Sequence, residues 1–188
     1  MVAAQFKAHA YERQLIEPQV TEIVEKDEEL KEVFKDTLSF DFLGKIEIKD
    51  ERDLKDKLLD SVISFLQELG PGFSLVGREY KLVTPTNKNY YIDLLMYHTK
   101  IHAYVVIEVK IGEFQPSYIG QLQFYINAID DLEKMENDNP TIGLLLCKTA
   151  DSYVVKTTLK TSTAPMGVSK YHLVDDLPNY LIEKMQKI

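Results

Sequence analysis

Leu54, Leu58, Val62, Phe65 and Leu69 recur at intervals of four, four, three and four residues. That spacing puts them on one stripe of a single helix, because residues three and four apart share a face. Gly70-Pro71-Gly72 follows and predicts the helix end. Downstream the period changes. Phe73 to Val83, Tyr90 to Tyr97 and Ile101 to Lys110 read as three strands, with the polar turn Thr84 to Asn89 between the first two. Only a few residues around His98-Thr99-Lys100 separate the last two, which predicts a β-hairpin. A helix is predicted from Pro116, in its first turn, to about Asp131. Pro140 then precedes the apolar run Ile142 to Cys147, continuous in the manner of a buried strand. A short helix near 151–159, a strand near 168–174 and a helix near 177–187 complete the C-terminal part.

Upstream, residues 5–35 scatter aliphatics among Glu and Lys and predict one or two exposed helices. Phe34 to Gly44 breaks that pattern and reads as a connector. The order α-β-β-β-α-β predicts an α/β fold with a mixed central sheet flanked by helices. The division expected is a helical N-terminal extension over 1–45 and the main domain over 46–188.

Composition narrows the classes. The single cysteine, Cys147, excludes an internal disulfide and fits a reducing compartment. The first twenty residues include His9, Glu12, Arg13 and Glu17 and lack an apolar segment, so no signal peptide is expected. No apolar run approaches the ~20 residues that span a bilayer. A cytoplasmic protein without a membrane partner is the expectation. The net charge of −8 argues against nucleic acid, whose phosphates need a basic face. That charge is uneven, however: within 141–170, Lys148, Lys156, Lys160 and Lys170 face only Asp151. A local basic surface is therefore compatible with the whole.

Chemistry concentrates in YYIDLLMYHTKIHAYVVIEVK, residues 90–110. Side chains alternate along a strand, so Glu108 and Lys110 leave it on one face. Asp93 lies in the preceding strand between Ile92 and Leu94. If the hairpin loop has an even number of residues, Asp93 shares the face of Glu108, across from it or diagonal to it, roughly 5 to 8 Å away. An odd loop sends it to the other face. Two carboxylates at that spacing suit a hard divalent ion, Mg²⁺ or Mn²⁺. Such an ion neutralises a phosphate and activates water, and a nearby ammonium stabilises the charge that develops.

Taken singly, an Asp in a strand is an edge or bulge residue, and Glu-x-Lys is a solvated face with a weak ion pair. Both carboxylates here follow strongly apolar residues, where an unpaired charge is costly. The next helix adds Gln121 and Tyr125, four apart and on one face. Glu51 or Glu68 of the preceding helix could add a third carboxylate, and a capping or solvated role is open for both. His98 and His102 straddle the predicted turn and do not make a zinc pair. Cys147 reads as core. Lys148 could reach phosphate or stand solvated at the strand end.

The order of a helix, a strand, a strand with Asp (YID), a strand with Glu-x-Lys (IEVK) and a helix with Gln-x-x-x-Tyr (QLQFY) resembles the PD-(D/E)XK nuclease superfamily, whose fold is restriction-endonuclease-like. FLQELGPGFSLVGREY, YYIDLLMYH, VVIEVKIGEFQPSYIGQLQFYINAIDD, TIGLLLC and MGVSKY resemble its YhcG-like family over most of 65–171, and VFKDTLSFDFLG resembles the segment preceding that domain. The resemblance implies that Asp93, Glu108 and the Val109 carbonyl bind Mg²⁺ and that Lys110 positions the attacking water. Gln121 and Tyr125 would support the site or contact nucleic acid. Ile92 stands where the namesake pattern often has proline. Only some 45 residues stand in place of the large N-terminal domain usual in the family. Two functions follow as expectations. One is a Mg²⁺-dependent nuclease acting on nucleic acid, DNA first. The other is a catalytically silent nuclease-like module that binds nucleic acid, or a protein partner or second copy through its acidic N-terminal helices.

Overall fold

The computed structural model describes residues 18–174. The helix expected near 177–187, and the part of the N-terminal helical reading before residue 18, lie outside the described residues. The elements in chain order are β1 (Gln19–Val20), α1 (Glu22–Glu25), α2 (Glu28–Lys31), β2 (Thr37–Ser39), a 3₁₀ turn (Asp41–Leu43), α3 (Glu51–Asp60), α4 (Val62–Leu69), β3 (Phe73–Val83), β4 (Asn89–His98), β5 (Ala103–Glu113), α5 (Ser117–Leu132), β6 (Ile142–Thr149), α6 (Ser152–Leu159) and β7 (Met166–His172).

One sheet runs in the order β1-β7-β6-β5-β4-β3, with β2 also on β7. The β3–β4 and β4–β5 pairs are antiparallel, and the β5–β6 and β6–β7 pairs are parallel. This is the expected mixed sheet with helices on both faces. Its two faces bury separate apolar clusters. Leu54, Leu58 and Phe65 from α3 and α4 cover Leu94, Met96, Val105, Ile107 and Leu144 on one side. Leu122, Ile126 and Ile129 of α5 cover Leu95, Val106 and Leu145 on the other. Strands β5 and β6 are buried on both faces, which is why their sequences run apolar rather than alternating.

Two expectations are corrected. The predicted single helix over 54–69 is two, because Ser61 (φ −112°, ψ 35°) leaves helical geometry and terminates α3 as it begins α4. The apolar stripe survives the break, since Leu54, Leu58, Phe65 and Leu69 are all buried. The described part of 18–44 does hold two short, mostly exposed helices, Glu22–Glu25 and Glu28–Lys31, but it also adds strands to the sheet, and 34–44 is not a bare connector. Gln19–Val20 and Thr37–Ser39 pair with β7, and Val24, Leu38 and Phe40 are buried in the first cluster. Phe40 stacks on Tyr171 with ring centroids 4.9 Å apart. Helices of four residues are set by such packing rather than by intrinsic propensity, so the spacing of aliphatics could not give their bounds.

Among the described residues, no helix is long and apolar enough to cross a membrane.

Candidate active site

The hairpin loop between His98 and Ala103 holds four residues, an even number, so the parity condition for Asp93 is met. The regular pairs run from His98–Ala103 to Leu94–Ile107, and one further step sets Asp93 opposite Glu108. There the backbone ladder gives way to side chains. The Asp93 N–H donates to Oε1 of Glu108 at 3.2 Å, and the Val109 N–H donates to Oδ2 of Asp93 at 2.9 Å. The two carboxylates thus continue the ladder where β4 and β5 part, and they line the opening between the strands.

A distortion on the other side of β4 accompanies this. The β3–β4 register slips between Leu75 and Gly77. Glu79, between the Arg78–Leu94 and Tyr80–Ile92 pairs, has φ 41°. The alternation of β4 shifts at the same place, for Ile92 and Leu95 join one cluster while Leu94 and Met96 join the other. An irregularity of this kind re-aims a side chain, and the residue at the shift is Asp93.

Burial makes the pair electrically tense. Glu108 is 2% exposed. Loss of solvation, and then the charge of Asp93, push its carboxyl up to about 7, against the pull of the Asp93 N–H, Lys110 and Lys55. Lys110 follows on the same strand face, its Nζ 3.7 Å from Oε2 of Glu108 and 3.5 Å from Oε2 of Glu51. Burial alone would lower the Lys110 ammonium, but Glu108, Glu51 and Asp93 outweigh it and hold the group charged, above the usual lysine range. The ammonium also lies over the Tyr118 ring, 5.3 Å from its centroid, and the Tyr171 hydroxyl donates to the Lys110 carbonyl at 3.0 Å.

Glu51 therefore borders the site. Glu68 does not: its carboxylate accepts the Ser39 N–H at 2.8 Å. Gln121 donates to the Tyr125 hydroxyl at 3.2 Å, and that hydroxyl donates to the Tyr91 carbonyl at 3.1 Å, two residues before Asp93. Tyr125 is buried, so it buttresses the Asp93 segment from within α5, while Gln121 is exposed beside it. Val109 meets the cleft through the N–H that holds Asp93. His98 is buried edge-on against Phe73, 4.8 Å between centroids, and is no metal ligand with His102. Cys147 is a buried free thiol.

Sequence reading missed Lys55. Its Nζ lies 2.6 Å from Oδ1 of Asp93. The available signal was its spacing of four from Glu51, which puts both on one face of α3.

The donor set fits a hard divalent ion. Two carboxylates face each other across one strand pair, Asp93 balanced by Lys55 and Glu108 by Lys110, with the Glu51 carboxylate at the border. Among the described residues no cluster of three or more His, Cys, Asp or Glu side chains forms a ready metal cage. Few protein ligands suit Mg²⁺, which keeps several of its waters.

The chain is 32% identical over 120 residues to YhcG of Escherichia coli (strain K12), an alignment covering 62% of this chain and 31% of that protein. It thus spans about a third of that relative's length. Among solved structures, a repair endonuclease from Pyrococcus abyssi aligns with 69% of this chain and 49% of its own, at TM-score 0.44 and 13% identity. An EndoMS–double-stranded DNA complex aligns with 69% and 46%, at TM-score 0.43 and 14% identity. The family described as the YhcG PDDEXK nuclease domain matches residues 31–186, well over half of the chain, and the chain belongs to that family.

Proposed function

We propose that this domain is a Mg²⁺- or Mn²⁺-dependent nuclease that hydrolyses phosphodiester bonds, with DNA as its substrate. The observation that carries the reading is the facing pair Asp93 and Glu108, with the Lys110 ammonium beside them, in a chain of a nuclease family. Asp93 and Glu108 would hold the ion, together with the Val109 carbonyl. When bound, the ion would supply charge neutralisation at the scissile phosphate and an activated water.

The remaining roles rest on the chain's own groups. Lys110, its Nζ 3.7 Å from Glu108 and 3.5 Å from Glu51, would act as a donor and a fixed charge. It would orient the water and stabilise the phosphorane-like charge. Glu51 keeps that ammonium within the cleft. Tyr125 fixes the segment bearing Asp93, and Gln121, exposed on the same helix face, is the residue for nucleic-acid contact.

The test is a cleavage assay on plasmid and single-stranded DNA with Mn²⁺ or Mg²⁺, beside calorimetric Mn²⁺ titration. Lys110→Ala and Glu108→Ala should each lose about a hundredfold or more in rate while remaining folded. Asp93→Ala should lose Mn²⁺ binding; unchanged binding would contradict the metal assignment. Wild-type inactivity on every nucleic acid tried, alone and with cell extract, would favour the catalytically silent binding module.

A further inference from the structure

Lys55 reaches from α3 into the cleft, and its ion pair with Asp93 is nearly buried, the two side chains 14% and 12% exposed. The other Asp93 oxygen accepts the Val109 N–H. Both carboxylate oxygens are therefore engaged. A divalent cation approaching Asp93 meets an ammonium already 2.6 Å from Oδ1, and two cations at one nearly buried oxygen repel strongly in a weakly screening surround. Lys110 has a different setting, with Glu51, Glu108 and the Tyr118 ring around it. The cleft thus contains two lysines that do different things.

We propose that Lys55 is a built-in competitor for the metal position, neutralising Asp93 while no metal is bound and passing to a phosphate oxygen of the nucleic acid when metal binds. This rests on the metal-dependent nuclease reading of the same site. Lys55 sits one turn beyond Glu51 on α3, and its long, flexible stem would let the ammonium move from Asp93 to a bound phosphate by side-chain rotation alone. Displacing it from Asp93 is unfavourable in the absence of another anion. Nucleic acid supplies that anion, so metal and nucleic acid bind with positive coupling. By linkage the coupling is reciprocal: metal tightens DNA binding by the same factor. The arrangement would keep the domain largely unloaded until substrate is present.

The experiment is calorimetric Mn²⁺ titration of the full chain, with and without a short cleavage-resistant phosphorothioate DNA duplex bearing a single-stranded end. Wild type should bind Mn²⁺ weakly alone and roughly five- to tenfold tighter with the DNA, the scale usual for coupled sites. Lys55→Met should bind Mn²⁺ tighter than wild type without DNA, by a similar factor, and show little further gain when DNA is added. Lys55→Arg should keep both the weak binding and the coupling. Should Lys55→Met not fold, Lys55→Gln carries the same expectation, because its amide still donates to Asp93 without the charge. Equal or weaker Mn²⁺ binding in these neutral variants would overturn the proposal and leave Lys55 as a clamp of α3 on β4. Asp93→Asn separates the two readings. Lost Mn²⁺ binding there, with no change in Lys55→Met, sinks only the Lys55 proposal. Unchanged Mn²⁺ binding in Asp93→Asn sinks the metal site as well.

Discussion

Replacing Glu108 by Gln without metal should stabilise the protein at about pH 8, because its carboxylate is buried beside another. Burial and Asp93 push the Glu108 carboxyl from 4.5 to about 7 in the fold. The fold therefore retains a proton that the unfolded chain gives up. Stability from this group is full below about 4.5 and is lost as pH rises through about 7. At about 1.4 kcal/mol per pH unit, the ionised carboxylate costs the metal-free fold roughly 3 kcal/mol. Gln keeps the acceptor for the Asp93 N–H but gives up the attraction of Lys110, so a net gain of about 1–3 kcal/mol is expected. For a chain of this size that is a rise of about 2–10 °C in melting temperature. Thermal melts across pH should show the gap at about pH 8 and convergence below about pH 5. Saturating Mn²⁺ should raise the wild-type melt and leave the variant unmoved, since a ligand stabilises only the form that binds it. A Gln variant that melts below wild type at high pH without metal would refute the reasoning. It would make Glu108 a structural partner of Lys110, not a strained metal ligand.

Tyr125→Phe removes the hydroxyl that links Gln121 to the Tyr91 carbonyl and should cost about 1–2 kcal/mol in denaturant melts, with a smaller loss of cleavage than Lys110→Ala. Gly167→Ala would set a Cβ 2.5 Å from Cδ1 of Phe34 and 2.9 Å from Cγ1 of Val20, so a destabilisation of about 1–3 kcal/mol is expected by the same measurement. No effect there would mean that the N-terminal segment does not dock on β7. Burial pushes the Cys147 thiol up to about 12, so alkylating reagents at neutral pH should label it only after unfolding, read by mass spectrometry.

The residues alone settled the parts governed by local periodicity. The 73–83 strand, the hairpin and the helix from Pro116 are legible because half-buried strands alternate and amphipathic helices repeat at three and four. The order of those elements, with Asp93, Glu108 and Lys110 at particular strand positions, carried the family resemblance. Register within a hairpin follows from parity, so the setting of Asp93 opposite Glu108 hung on the loop length, which the sequence bounded without fixing, while the shift in β4 alternation at Asp93 left no local signal. What tertiary structure decided is what depends on distant partners. Phe34 to Gly44 has no periodic signature, and only β7 and the core seat Leu38 and Phe40. Glu51 and Glu68 look alike along the chain. The break at Ser61 and the docking of α3 bring Glu51 to Lys110, while Glu68 goes to the Ser39 N–H. Lys55 is one of many lysines until α3 packs on β5 and brings it to Asp93, because an ion pair is a property of two places in space, and its 38-residue separation from Asp93 leaves no trace in local pattern.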